Sequence, residues 1–355
     1  MSTLQISLAI AGGVVLAGVV TYNTWTSRRL LPKKPENAVD TPAPHQGPSA
    51  PGELRQEPSM DGVSAEAESS PLDLSNLPTP ERKPGLDAMI DAITMVDLDT
   101  LVSGEAALAA TPPTRRVGSK PFAIEGLNVI SNDWEPPRIG ERYSAFQVGV
   151  QLANRHGPLN KIEFSEFIVK SQAFADAVGG EPEFPDMQAE VERAREIDQF
   201  ANDHDAKLSF FLRARHAAWS PGYVLQNAAK LGFVPGVLPG RLAMPSSTPG
   251  LPPLLTLNYD AQAALAEDPE ESALREIELQ LDVPLTRREE QPFRRLCEAL
   301  QWLSHGMDGA VTDPEGRAVP EEVILSIERD LEQLYAALEA YDLAAGSPQT
   351  RRLFS

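Results

Sequence analysis

The chain has 355 residues, with 51 Asp and Glu against 31 Lys and Arg and a formal charge of −20. A body this acidic repels phosphate, which argues against nonspecific binding to nucleic acid. Cys297 is the single cysteine, so no internal disulfide can form, as expected of a reducing compartment; Leu296 and Leu300 beside it predict a packed, structural thiol.

The first predicted element is a membrane span over residues 4–25, a stretch without a charged residue. Leu4, Ile10, Val14, Val15, Leu16, Val19 and Val20 supply its apolar surface, and Tyr22 and Trp25 suit an interface. A helix of that length covers roughly 30 Å of hydrocarbon at ~1.5 Å per residue. Arg28, Arg29, Lys33 and Lys34 follow the stretch and no lysine or arginine precedes it, which predicts an N-terminus outside and a C-terminal body in the cytoplasm. A cleaved secretory signal would need its positive charge on the other side. Ala9, Gly13 and Ala17 fall four residues apart and could let two such helices pair as a homodimer.

Residues 28–84 form the basic juxtamembrane segment and a Pro-rich linker, and no aromatic residue occurs between Trp25 and Phe122. Such a segment cannot bury enough apolar surface to offset its ordering entropy and is predicted to be a disordered tether. About 50 residues of coil span roughly 35–40 Å.

From residue 86 onward the sequence repeats itself. Val148, Val150 and Leu152 alternate as in a strand, and Ile277, Leu279 and Leu281 do so 129 residues later. Phe164, Phe167, Phe174 and Val178 on one helical face are matched at the same offset by Phe293, Leu296, Leu303 and Met307, then Gly180 by Gly309 and Pro185 by Pro314. This predicts a tandem duplication, with copies over 86–204 and 205–345 and a tail over 346–355.

In the first copy the pattern predicts a strand over Met89 to Val96, a short helix near Gly104 to Ala110, a strand over Pro121 to Leu127 and a last helix around Gln188 to Asn202. The second copy starts with a strand through Leu208, Phe210 and Leu212. Ser220-Pro221 caps a helix running to about Leu231, and Gly232 stops it. Strands over Val234 to Met244, Leu254 to Tyr259 and Ile277 to Val283 follow, then the helix carrying Phe293, Leu296, Leu300 and Leu303. A hairpin is expected across Asp313-Pro314-Glu315-Gly316, and Pro320 opens a final helix with the stripe Ile324, Ile327, Leu331, Leu334 and Leu338. The fold class is therefore α+β, an antiparallel sheet covered by helices on one face, in two tandem copies.

Gly232-Phe233 with Gly236, Leu279-Gln280-Leu281-Asp282-Val283-Pro284 and Gly309-Ala310-Val311-Thr312-Asp313, in this order, resemble the C-terminal FtsZ-binding domain family of ZipA, the membrane anchor of the bacterial division ring. The plan of the whole chain is similar too: a short outside N-terminus, one span, a basic cluster, a Pro-rich tether and a cytoplasmic α+β body. The family is known for a single such domain, so the second copy is a departure. The resemblance implies a cell-division protein of the inner membrane that binds the FtsZ C-terminal tail on the sheet face opposite the helices and tethers the ring during septum assembly. A membrane scaffold serving a different cell-envelope partner is the alternative.

If Ile277, Leu279 and Leu281 face the helices, Glu278, Gln280 and Asp282 face outward, an acidic strip. Phe211, Arg213, Leu257, Tyr259 and Gln280 are the candidates for the open face of the second copy, with ordinary core or rim packing as the other reading of Phe211 and Tyr259. No catalytic, cofactor or metal site is expected. Asp203, His204 and Asp205 are consecutive and diverge as at a solvated helix end. Gly232, Gly236 and Gly240 alternate with prolines and lack the lysine of a phosphate loop. His156, His216 and His305 are scattered, and Trp134 and Trp219 read as packing anchors.

Overall fold

The computed structural model describes residues 85–266, 268 and 272–355. The predicted span with its flanking charges, and the tether as far as residue 84, lie outside the described residues. Among the described residues no helix is long and apolar enough to cross a membrane.

The chain first builds β1 (Asp91–Ser103), α1 (Gly104–Ala110), β2 (Arg116–Val117), β3 (Lys120–Asn128), β4 (Trp134–Glu135) and β5 (Arg142–Gln151). The short hairpin β6 (Ala153–Asn154) and β7 (Gly157–Pro158) leads to α2 (Lys161–Val178), β8 (Gly180–Glu183) and α3 (Met187–His204). A second series follows: β9 (Lys207–Ala214), α4 (Pro221–Ala229), β10 (Val234–Pro235), β11 (Arg241–Met244), β12 (Leu255–Asn258), α5 (Ala261–Ala264), β13 (Glu276–Asp282), α6 (Pro292–Met307), β14 (Gly309–Thr312), α7 (Glu321–Ala340) and α8 (Pro348–Leu353).

Both series make mixed α+β units around antiparallel sheets. The first sheet is ordered β2-β3-β5-β1-β8, with β4 also on β3, and the second β10-β11-β12-β13-β9-β14. Reading β3-β5-β1-β8 onto β12-β13-β9-β14 superimposes the orders, with a long helix between the third and last strands of each series in chain order. The 129-residue offset runs through this part: Val148, Val150 and Leu152 are fully buried, as are Leu279 and Leu281 with Ile277 at 1% exposure. Gly180 and Gly309 each open the last strand of their unit.

Local chemistry explains the helix boundaries. Asn160 and Glu163 form a reciprocal capping box at the start of α2, and Gly179 ends it in the left-handed region at φ 70°. Ser220 accepts from the Tyr223 amide with Pro221 in the first turn of α4. Phe164, Phe167 and Phe174 of α2 fill the first core against Phe122, Phe146 and Val150; Phe293, Leu296 and Leu303 of α6 fill the second against Phe210, Leu212 and Leu279. Trp219 is fully buried and donates to the Met307 carbonyl at 2.8 Å, a packing anchor.

Three expectations need correction. The strand over Val234 to Met244 is two short paired strands, because Pro239-Gly240 turns the chain and only Val234 and Pro235 pair with β11. The hairpin around Asp313 to Gly316 keeps its turn but reduces beyond it to one bridge, Thr312 with Ala318. Residues 346–355 are not a loose tail. Pro348 and Ser347 start α8, and Leu353 and Phe354 are fully buried in a third apolar cluster with Ile90 and Ala153 of the first unit and Leu338 of the second.

Candidate functional site

Directly opposed residues of antiparallel strands share a face, so the register sorts each sheet into a side under the helices and a side away from them. In the second unit Glu276, Glu278, Gln280 and Asp282 of β13 oppose Arg213, Phe211, Ser209 and Lys207 of β9. Their neighbours Ile277, Leu279 and Leu281 lie buried under the helices, so the acidic strip does face outward. Arg213 bridges to Glu276 at 3.1 Å, and its guanidinium carbon stands 5.6 Å from the centre of the Phe211 ring. Gln280 donates to the Ser209 hydroxyl at 3.3 Å, and Asn258 to Glu278 at 3.2 Å. Phe211, Arg213 and Gln280 are thus brought together on the open face.

Leu257 and Tyr259 are not. Leu257 opposes Leu279 and Leu242 and is fully buried under the helices. Tyr259 packs against the same core, and burial raises its hydroxyl above the usual range. The open positions of β12 are Thr256 and Asn258. Leu254, Leu255 and Leu257 are all buried, so the apolar run at this strand does not reveal which parity faces the helices.

The first unit presents a different face. Ile93, Met95 and Asp97 of β1 oppose Gly149, Gln147 and Ala145 of β5; Ala123 and Glu125 of β3 continue the strip on one side, and Glu183 and Glu181 of β8 on the other. Sequence reasoning placed no candidate here. The available signal was in β1 itself, where Ala92, Ile93, Met95 and Val96 make both parities apolar. Gly149 is a pit in this face: a Cβ there would run into the side chain of Leu86, which lies across it. At the 129-residue offset the second unit has Glu278 instead.

His204 ends α3, stacked on Phe200 at 4.2 Å, while Asp205 turns away to Arg155. His216 pairs with Asp308 at 2.9 Å, and His305 on α6 meets the carbonyl of Gln301. Among the described residues no group of three His, Cys, Asp or Glu could hold a metal ion. What the geometry offers is two sheet surfaces away from the helices, one partly apolar with Leu86 seated over Gly149, the other mostly polar around the Phe211 ring.

No protein-family model matches the chain, and no characterised protein matches it. Among solved structures, the berberine bridge enzyme of Eschscholzia californica aligns at 11% identity with a TM-score of 0.15, over 74% of this chain and 54% of that one. An overlap that loose carries no argument about fold or function.

Proposed function

We propose that this chain is a membrane-anchored cell-division protein whose open sheet faces bind the C-terminal tail of FtsZ and tether the division ring to the inner membrane. The observation that carries the reading is that, among the described residues, no helix layer lies on the second unit's sheet surface around Phe211 and Glu278, while on the first unit only residues 85–87 and α8 reach across that surface; the ZipA-like motifs lie on β13, β14 and the turn after α4. An extended peptide can lie across such a surface, with affinity from apolar side chains and register from charged rims. Two sites on one tether would add avidity where filament spacing lets both engage.

Binding of a labelled FtsZ tail peptide to the full chain in detergent micelles tests this. Saturable binding weakened by Met95→Asp or Phe211→Asp supports it, and no saturable binding removes it. Separate fragments would be a poor substitute, because α8 and Arg155 join the units.

A second reading is a membrane scaffold for another envelope partner. The acidic strip on the second face favours it: Glu276 and Asp282 are paired with Arg213 and Arg155, and Glu278 between them would select a basic group over a purely apolar segment. Midcell localisation of a fluorescent fusion would count against it.

A further inference from the structure

Residues 85–87 lie on the open face of the first sheet, and the contacts there are specific. Leu86 lies over Gly149, where any larger residue would collide with it, and Gly85 sits against Glu125, whose carboxylate Oε1 is 2.9 Å from where a glycine Cβ would be. The segment is held from the far end of the sequence. Arg352 of α8 donates to the Gly85 carbonyl at 3.0 Å, and Gln349 to Asp87 Oδ2 at 3.1 Å. The Asp87 amide in turn donates to Asp91 at 2.8 Å. Leu86 is therefore clamped on the sheet between strand and C-terminal helix.

The neighbourhood of the pit defines what fits it. Ile93 and Ala123 flank Gly149 directly, and the same face carries Asp97, Glu125, Glu181 and Glu183. Glu125 is buried and accepts one bond from Gln147 at 2.7 Å. A leucine-like side chain matches the pit, as Leu86 shows, and the carboxylates around it favour a segment that also carries a basic group. The second unit has no equivalent pit, since Glu278 occupies that position.

We propose that Leu86 is a built-in occupant of the first unit's docking face, so that an extended peptide bearing a leucine-like side chain beside a basic residue must displace it to bind. The FtsZ part of the test rests on the reading above; the plug does not. A tethered group competes at high effective concentration, so displacement weakens apparent affinity by the fraction of time the face is open.

Anisotropy titrations on the full chain in micelles test this with two fluorescent peptides, the FtsZ tail and a synthetic copy of residues 80–90. Leu86→Ala removes the occupying side chain, and Gln349→Ala loosens its anchor without touching the face. Both variants are expected to bind the tail at least about fivefold more tightly than wild type. Equal tail affinity in all three proteins overturns the plug. If the tail binds none of them, the second peptide decides. Capture by Leu86→Ala and not by wild type supports the plug while the FtsZ reading falls, and capture by neither overturns both.

Discussion

Arg155, at the tip of the β6–β7 hairpin, forks onto Asp282 at the end of β13, with Nη1 and Nη2 each 2.8 Å from a carboxylate oxygen. The same guanidinium donates to Asp205 through Nε at 2.9 Å and Nη2 at 2.6 Å. One cation of the first unit thus bridges two carboxylates of the second, Asp205 at its start and Asp282 at the end of β13, and hydrogen bonding to Asp282 holds it firmly protonated. Planar bidentate geometry is what arginine offers and lysine does not.

Replacing Arg155 by alanine leaves Asp205 and Asp282 facing each other. Its side chain is 26% exposed, so solvent screens part of the loss. We expect about 1–2 kcal/mol at low salt, shrinking in ~1 M salt where the Debye length is about 3 Å. Urea unfolding at the two ionic strengths measures it. A loss that does not change with salt would mean the arginine acts through packing on Phe354 and not through charge.

This contact shows where sequence legibility ended. The 129-residue repeat exposed strand, helix and glycine positions because burial imposes a period, and Val148, Phe164 and Gly180 obey the same constraint as Ile277, Phe293 and Gly309. Arg155, Arg352 and Leu86 obey no period. Each acts through a partner distant in sequence, and single charges or leucines near loops carry no local mark of that. Residues 346–355 looked like a tail for the same reason: α8 is six residues long, and its burial depends on a surface assembled by both units. Of the open-face candidates, Phe211, Arg213 and Gln280 followed from strand alternation on β9 and β13, while β12, buried at three leucines within four residues, hid its parity.

Arg352 and Asp91 make the tighter ion pair. Their side chains are 18% and 0% exposed, and Arg352 Nη1 lies 2.9 Å from Asp91 Oδ2. Arg352→Ala strands a buried carboxylate and is expected to cost about 3 kcal/mol, whereas Asp91→Asn costs less because the remaining cation keeps the Gly85 carbonyl. Burial lifts the Asp91 carboxyl above its usual range, although Arg352 pulls it back. A carboxyl raised by folding contributes its stability below its unfolded value and loses it as pH rises through the folded one. The deficit of Arg352→Ala should therefore narrow on acidification from neutral pH toward the folded Asp91 value. Urea midpoints of wild type and variant at a series of pH values check it; a deficit that widens on acidification would contradict it.

Leu257 and Phe211 separate core from surface in the second unit. Leu257→Ala opens a cavity under the helices and should cost 2–5 kcal/mol on the usual scale of about 20–30 cal/mol per Å³ of void. Phe211→Ala removes a half-buried ring and its stacking with Arg213, a loss of about 1 kcal/mol or less. Peptide affinity should move the other way, falling for Phe211→Ala and unchanged for folded Leu257→Ala. Paired thermal unfolding and anisotropy measurements distinguish the two; a loss of affinity in Leu257→Ala without unfolding would return that residue to the docking face.

Cys297 gives a chemical readout of α6 packing. Burial pushes its thiol up to about 11, well above the ordinary thiol range, with Glu328 and Glu298 adding to the rise. A rise of that size lowers the thiolate fraction near pH 8 by about 100-fold, and the thiolate is the reacting form. A raised thiol contributes stability below its ordinary value and loses it as pH rises through the folded one, so the alkaline limb of stability should fall between about 9 and 11. Iodoacetamide should label native Cys297 at least about 100-fold more slowly than the urea-unfolded chain at the same pH, with a rate climbing toward pH 11. Equal rates in the two states would show that Cys297 is not shielded by the packing of α6 in the folded protein.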